Sequence, residues 1–284
     1  MGDDTAPHLP QKTIERTCHD TVKGRDDRLL SCCDGGNAVV ALTEDLVVKF
    51  GGTFTRDEFE NQKQAHQLLA PMKDVKVPQP YNFFNQDGCG FICMERVHGQ
   101  EITTSGRLAA HKLMDVLRTF ATIHGEKPGS LSGGPARGLL WSEYHDFKPN
   151  GREELERHFF ETLCGSAEVT FSGPLVLCHG DLAARNIMIR GNEVYILDWA
   201  SAGFHPKLFE IASMRKNTVE PLLADVMRLV TKTACLDEVE FMQACYIEQR
   251  AKKNVRYIKY VPHPSQTQDS SLTPGRGLRK SRLV

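Results

Sequence analysis

The stretch His179-Gly180-Asp181-Leu182-Ala183-Ala184-Arg185-Asn186, followed by Asp198, decides how this chain folds and what chemistry it can carry. Asp181 offers a proton acceptor, and Asn186 and Asp198 offer two oxygen ligands for a hard cation. At roughly one in twenty per position, four fixed residues at fixed offsets arise by chance about once in several hundred chains of this length. A functional site is therefore favoured over a structural loop in which Asp181 caps a turn and Asp198 ends a strand.

The residues between Asn186 and Asp198 predict a β-hairpin. Residues 187–189 and 194–197 are strand-like, and residues 190–193 between them carry the turn signal Arg-Gly-Asn-Glu. Folding this hairpin brings Asn186, before one strand, to the same edge as Asp198, after the other. Both side chains end in oxygen, which magnesium prefers, so the two can share one cation. A cation beside a carboxylate that accepts a hydroxyl proton is the arrangement that phosphoryl transfer requires.

The composition is that of an ordinary globular protein. Of the 284 residues, 40% are hydrophobic and 25% are charged, so a sizeable core is expected. The net charge of −1 gives no reason to expect a nucleic acid or an anionic membrane as partner. Nine cysteines without a C-x-x-C pair indicate free thiols in a reducing compartment. No secretory signal and no apolar run of roughly 20 residues is present, so the cytoplasm is the expected location.

The pattern along the chain predicts an α+β fold of two lobes. In the N-lobe, residues 27–95, strand-like runs and turn residues predict a five-stranded antiparallel sheet plus one helix. The strands are expected at 28–33, 37–42, 46–50, 81–84 and 90–95, and the helix at 56–70. The C-lobe, residues 96–262, is expected to be mainly helical, with helices at 108–124, 153–164 and 207–260. We expect the N-terminal residues 1–26 and the basic tail 263–284 to be disordered.

The third predicted strand contains Lys49 between apolar residues. A phosphoryl-transfer enzyme of this layout needs such a lysine to hold nucleotide phosphates, although a surface lysine would give the same pattern. The lysine also needs an acid on the following helix, for which Glu60 is the first choice and Glu58 the alternative. Gly35 and Gly36 lie in a turn where backbone amides could cover phosphates, but an ordinary tight turn has the same sequence.

Taken together, these residues resemble the aminoglycoside phosphotransferase and choline kinase-like family. That family is a branch of the protein-kinase-like fold and phosphorylates small molecules. The resemblance covers roughly residues 28–215. It rests on the stretch 179–186 with Asp198, on Lys49, on the strand and connector 91–97, and on Pro206 and Glu210 after the second acid.

The resemblance implies a role for each matching position. Asp181 would be the catalytic base, and Asn186 and Asp198 would bind Mg²⁺. The connector would hydrogen-bond the adenine of ATP through backbone groups of Glu95 and Val97. The choice between ATP and GTP stays open at this point.

A protein kinase is the less favoured alternative. Residues 182–186 resemble the catalytic loop of tyrosine kinases, but Gly180 replaces the arginine that reads an activation-loop phosphate. Trp199 follows Asp198 where protein kinases have Phe, and no A-P-E sequence follows. A catalytically silent nucleotide-binding or interaction protein on the same fold is a further alternative, favoured by the absence of G-x-G-x-x-G.

The expected acceptor is a small molecule with a hydroxyl group that is not a polycation. Residues 241–284 contain nine Lys or Arg and only two acids, Glu248 and Asp269. This excess of positive charge would repel the amines of an aminoglycoside. A neutral or anionic hydroxylated metabolite is therefore expected. Ser201, Phe204 and His205 either line the acceptor pocket or pack within the loop.

Overall fold

The computed structural model of the 284-residue chain describes residues 9–33, 36–102, 107–138, 140–141, 146–159, 161, 171–216, 221–232 and 247. The α-helices of this part are α1 (Gln11–Gly24), α2 (Arg56–Leu69), α3 (Arg107–Ala121), α4 (Arg152–Phe159), α5 (Leu208–Lys216) and α6 (Pro221–Lys232). The predictions for the helical stretch 233–260, apart from residue 247, and for the tail 263–284 lie outside the described residues.

The N-terminal strands form the five-stranded antiparallel sheet that the sequence predicts. Its members are β1 (Leu29–Cys32), β2 (Ala38–Ala41), β3 (Leu46–Gly51), β5 (Pro80–Gln86) and β6 (Cys89–Glu95), in the order β1-β2-β3-β6-β5. The twenty-three-residue stretch that separates β3 from the following short strand, β4 (Val75–Lys76), is where α2 lies, as expected. Its first turn is capped by Thr55, whose side chain accepts a hydrogen bond from the backbone of Glu58.

Helix α1 corrects the expectation of disorder for residues 11–24, whereas residues 1–8 lie outside the described part of the chain. Its apolar stripe is short, with Ile14 and Cys18 one turn apart and Thr21 below them, and all three side chains are buried. Ile14 and Cys18 join the apolar cluster of β2 and β3 that includes Val40 and Phe50. The helix is therefore stabilised by packing against the sheet, which its mostly polar sequence did not reveal.

The C-terminal half combines the expected helices with two small sheets, one of which contains the predicted hairpin of residues 187–197. Besides β4, their strands are β7 (Gln100–Glu101), β8 (His124–Gly125), β9 (Gly129–Ser130), β10 (Leu175–Cys178), β11 (Ile187–Arg190), β12 (Glu193–Ile196) and β13 (Gly203–Pro206). One sheet has the order β8-β10-β13-β9 and the other β4-β12-β11-β7. Pro221 is the first residue of α6, a position where the missing N–H of proline costs nothing.

The second sheet connects the two parts of the chain. Residues of β4, from the N-terminal part, pair in parallel with β12, and β11 pairs with β7. The large core of the C-terminal half surrounds Trp199, which is fully buried and lies 6.0 Å from the ring of Phe120. Among the described residues, none of the helices has the length and apolar character needed to cross a membrane.

Candidate active site

Strand β10 leads into residues 179–186, the site loop, which contains Asp181 and Asn186. All four residues of β10 are buried, and the loop begins directly after Cys178. Gly180 has a φ of +79°, and a Cβ atom there would lie 2.7 Å from the carbonyl oxygen of Ser201. A side chain at this position would therefore meet both backbone strain and a backbone atom, which gives the glycine a structural reason.

His179 is a buried structural residue of this loop. Its Nε2 lies 2.9 Å from the carbonyl oxygen of Leu197, and its Nδ1 accepts a hydrogen bond of 3.3 Å from the backbone N–H of Asp181. This pairing fits the neutral tautomer with the proton on Nε2. Burial lowers the pKa of His179, which favours the same neutral form. The histidine thus ties the loop to the end of β12.

Glu210 of α5 anchors the same loop from the opposite side. Its Oε2 accepts hydrogen bonds from the backbone N–H groups of His179 and of Gly180, the second at 3.1 Å. Burial raises the pKa of Glu210 to about 7, although these two donors oppose the shift. Within the described part of the chain, the other oxygen, Oε1, has no hydrogen-bond partner. The sequence pointed to Glu210 only through the resemblance, and its contact with the loop was not predicted.

The carboxylate of Asp181 is held by two side chains from the turn that follows it. Arg185 Nη2 lies 2.5 Å from Asp181 Oδ2, and Asn186 Nδ2 lies 3.2 Å from the same oxygen. Asn186 Nδ2 also donates to the backbone oxygen of Asp181 at 2.9 Å. The structure therefore brings Asp181 and Asn186 together, as predicted. Arg185 was missed, although its position four residues after an acid is a recognisable ion-pair spacing.

The hairpin of β11 and β12 has the predicted form. Ile187 pairs with Ile196, and the backbone N–H of Leu197 donates to the oxygen of Asn186 at 2.8 Å. Asn186 is consequently opposite Leu197, and Asp198 is the next residue along that edge. Asp198 has φ 65° and ψ 72°, a left-handed conformation that costs a non-glycine residue about 1–3 kcal/mol. Such strain is concentrated at functional sites in proteins.

Lys49 joins the N-terminal sheet to this edge. Its Nζ lies 2.6 Å from Glu58 Oε1 and 2.9 Å from Asp198 Oδ1. The first choice of Glu60 as the partner of Lys49 is wrong, because Glu60 instead lies 3.9 Å from Arg56. Residues two positions apart in a helix, such as Glu58 and Glu60, point about 200° apart around the helix axis. Only one of the two glutamates can therefore face the sheet. The side chain of Glu58 is 7% exposed and that of Glu60 is 35% exposed.

The charges around Lys49 stabilise one another. Burial alone would lower the pKa of Lys49, but the carboxylates of Asp198 and Glu58 raise it well above its usual value. The partial burial of Asp198 likewise would raise its pKa, but Lys49 holds it below its usual value. Lys49 is therefore an ammonium ion and Asp198 a carboxylate at neutral pH, the charge states that a phosphate and a metal ion need.

The predicted nucleotide contacts are described only in part. Glu95 is the last residue of β6, and its backbone N–H donates a hydrogen bond of 2.8 Å to the carbonyl oxygen of Gln79. A contact of Glu95 with adenine would therefore use its backbone carbonyl group. Val97 lies in the connector that follows β6. Gly36 has a φ of +86°, with open space around the position of a Cβ atom, whereas Gly35 lies outside the described residues. The roles of these four residues in binding a nucleotide stay predictions.

A cavity of about 10 Å³, the size of one water molecule, opens beside Gly180. Ser201 and His205 line it, and so does Arg137, its one charged residue among those that the structure describes. His205 is buried, which lowers its pKa to about 3, and its Nδ1 has no partner in the described part. Phe204, the third residue that was considered for the acceptor pocket, instead packs within the fold. Its ring lies over Gly125, where a Cβ atom would clash with it.

The chain after Asp198 returns directly to the core. A short 3-10 helix (Trp199–Ser201) leads into β13, which pairs with both β10 and β9, and α5 begins at Leu208. All residues from Asp198 to α5 are thus part of a sheet, a helix or a tight connection between them. No segment is left between Asp198 and α5 for a long activation loop.

Comparison with known proteins agrees with this architecture. The sequence profile described as the phosphotransferase enzyme family (APH) matches residues 34–240. A sequence search among curated proteins gives no significant match. A protein assigned as a fructosamine-3-kinase from Haemophilus somnus 129PT is 15% identical, with a TM-score of 0.55, over 84% of this chain and 86% of its own.

Two aminoglycoside phosphotransferase structures are similar to the same extent. The GDP and kanamycin complex of APH(2")-IIia is 16% identical with a TM-score of 0.54, over 87% of this chain and 92% of its own. A mutant of APH(4)-Ia with AMP-PNP and hygromycin B is 14% identical with a TM-score of 0.53, over 80% and 92%. At such identities the likeness confirms the fold class, α+β and protein-kinase-like, and nothing finer. Because the profile match spans more than half of the sequence, the chain belongs to the phosphotransferase enzyme family.

Proposed function

We propose that this protein transfers the γ-phosphate of ATP to a hydroxyl group of a small molecule, in a reaction that depends on Mg²⁺. The observation that carries the proposal is the contact of Lys49, on the N-terminal sheet, with Asp198, beside the pair formed by Asp181 and Asn186. A cation for phosphates, oxygen ligands for a metal and a carboxylate for a hydroxyl proton meet at one edge. These are the parts that phosphoryl transfer uses.

Each group has one role in this proposal. Asp181 orients the acceptor hydroxyl and takes its proton, with its carboxylate kept in place by Arg185 and Asn186. Lys49 positions the nucleotide phosphates, with Glu58 behind it. The lobe of residues 27–95 would bind the nucleotide. Backbone groups of Glu95 and Val97 would contact the adenine ring, and Gly35 and Gly36 would lie near the phosphates. The lobe of residues 96–262 would supply the catalytic and acceptor groups.

The residues at the hairpin edge fit a magnesium ion. Asn186 offers an amide oxygen and Asp198 a carboxylate that is 40% exposed. Mg²⁺ usually binds through one or two protein oxygens and completes its shell with phosphate oxygens and water. When bound, the ion would neutralise charge on the phosphates. The low pKa of Asp198 keeps its carboxylate ready for this role.

Two features favour a small neutral or anionic acceptor. The compact path from Asp198 to α5 contains no segment of the kind that positions peptide substrates in protein kinases. The cavity beside Gly180 has Arg137 as its one charged lining residue within the described part, and the sequence 241–284 is strongly basic. Both would repel a polycation.

The experiment that tests this function measures ATP turnover with Mg²⁺ over a panel of hydroxylated small molecules. The panel contains neutral, anionic and polyamine sugars, and nucleotide binding is measured in parallel by calorimetry. We expect turnover with at least one neutral or anionic member. A strong preference for a polyamine sugar would contradict the acceptor class. Nucleotide binding without turnover on any member would favour the catalytically silent alternative.

A further inference from the structure

A second cavity, of about 170 Å³, lies between α3, β10 and α5. Its lining is mainly apolar and comes from all three elements, with Phe120, Val176 and Ile211 among the residues. It shares no lining residue with the small cavity beside Gly180. The cavity therefore is a separate space behind the site loop rather than part of the acceptor site.

One residue of this lining has an unsatisfied polar atom. Glu210 is 3% exposed, and its Oε1 has no hydrogen-bond partner among the described residues. A buried carboxylate oxygen without a partner costs free energy that a hydrogen-bond donor would recover. The other oxygen of the same carboxylate holds the backbone N–H groups of His179 and Gly180. A donor bound at Oε1 would thus touch the group that anchors the site loop.

The size and charges of the cavity define the ligand. A cavity of about 150 Å³ in another protein holds one benzene, so this one has room for a single ring or a branched alkyl group. Arg118 and Lys207 also line the cavity and disfavour an ammonium group, whereas Glu210 disfavours a carboxylate. A hydroxyl carries no charge and can donate to an ionised Glu210 or accept from a protonated one. That versatility matters because the pKa of Glu210 lies near 7.

We propose that the cavity between α3, β10 and α5 binds a small neutral molecule with a ring-sized apolar body and one hydroxyl, which bonds to Glu210 Oε1. This goes beyond the proposed phosphotransfer and does not depend on it, because the site and its test concern binding alone. Since one carboxylate connects the ligand to the amides of His179 and Gly180, the site loop senses occupancy.

The test is an NMR titration of the isotopically labelled full chain with phenol, and with benzene as the matched probe that lacks the hydroxyl. We expect saturable shifts of the methyl groups of Val176 and Ile211 with both probes. Phenol should bind about fivefold more tightly, the ratio that a hydrogen bond of about 1 kcal/mol gives. Phenol should also move the amide resonances of His179 and Gly180, and benzene should move them much less.

A pair of substitutions at the end of α3 controls for binding elsewhere. Ala121 lines the cavity, whereas its neighbour Thr122 does not, and both are exposed. Ala121→Leu should weaken phenol binding at least about tenfold, and Thr122→Leu should leave it unchanged. Equal affinity for phenol and benzene, the absence of saturable shifts, or full binding by Ala121→Leu would each overturn the proposal.

Discussion

The Nζ atom of Lys49 lies 2.9 Å from Oδ1 of Asp198, a residue 149 positions later in the chain. This ion pair joins the third strand of the N-terminal sheet to the end of the β11–β12 hairpin. The ammonium group proposed to bind phosphates and the carboxylate proposed to bind a metal are therefore within a few ångströms of each other without a bound ligand. Because position and fixed charge supply most of the rate in phosphoryl transfer, this pairing is the centre of the proposed site.

The pairing of Lys49 with Glu58 predicts that two neighbouring glutamates have different effects. Glu58→Gln should lower kcat/KM for ATP by about tenfold or more, because a displaced lysine no longer meets the phosphates. Glu60→Gln should stay within about twofold of the parent, since its contact with Arg56 is a surface ion pair. Steady-state kinetics with varied ATP compares the two, and a larger effect at position 60 would contradict the assignment.

The contact between Arg185 and Asp181 predicts that Arg185 is a positioning residue. Arg185→Gln should lower kcat about tenfold and leave KM for ATP unchanged, because the carboxylate loses its orientation while the nucleotide groups stay intact. Arg228→Gln, which alters an exposed ion pair on α6, is the matched control and should leave both constants unchanged. A rise in KM for ATP with unchanged kcat would assign Arg185 to nucleotide binding instead.

The raised pKa of Glu210 predicts how stability depends on pH. Its folded-state value of about 7 lies above the ordinary 4.5, so the folded protein holds the proton more tightly than the unfolded chain. The stability from this proton is fully present below pH 4.5 and is lost as pH rises through 7, a change of about 3 kcal/mol. His179 and His205, whose pKa values are lowered, act in the opposite direction.

Urea unfolding of the parent and of Glu210→Gln between pH 4.5 and 8 isolates this effect, because both histidines are present in both proteins. The free energy of unfolding of the parent should fall relative to the variant as pH rises. A constant difference between the two proteins over this range would show that Glu210 has an ordinary pKa.

The packing of α1 predicts a stability effect near the N-terminus. Ile14→Ala should lower the free energy of unfolding by about 2–5 kcal/mol, since the side chain is 4% exposed within the core of the sheet. Leu9→Ala, at an exposed position just before the helix, should change it by less than about 0.5 kcal/mol. Urea unfolding measures both, and similar effects for the two variants would place α1 outside the folded unit.

The sequence was sufficient for those parts of the site that depend on local order. The hairpin was predictable because its turn residues and two short strands lie within a dozen residues, so local register alone places Asn186 near Asp198. The five strands and α2 were predictable for the same reason, since each turn carries its own signal.

The features that the sequence did not predict depend on contacts between elements that are distant along the chain. Glu58 and Glu60 differ in helix phase, which the Thr55 cap and the packing of α2 set together. Glu210 can anchor the site loop only because α5 packs beneath β10. The periodicity of the sequence does not predict that these two elements lie close together. Helix α1 has too few apolar residues to be recognised without the sheet that it covers.

The most direct measurement of the central claim follows transfer of the radioactive γ-phosphate of ATP into a small-molecule metabolite extract, with Asp181→Asn as the control. With Mg²⁺ present, we expect the parent protein to produce a labelled, base-stable product of low mass. Asp181→Asn should bind the nucleotide normally but lower the rate by about a hundredfold or more. Label transfer that is equal in the two proteins, or absent from both while the nucleotide binds, would contradict the account.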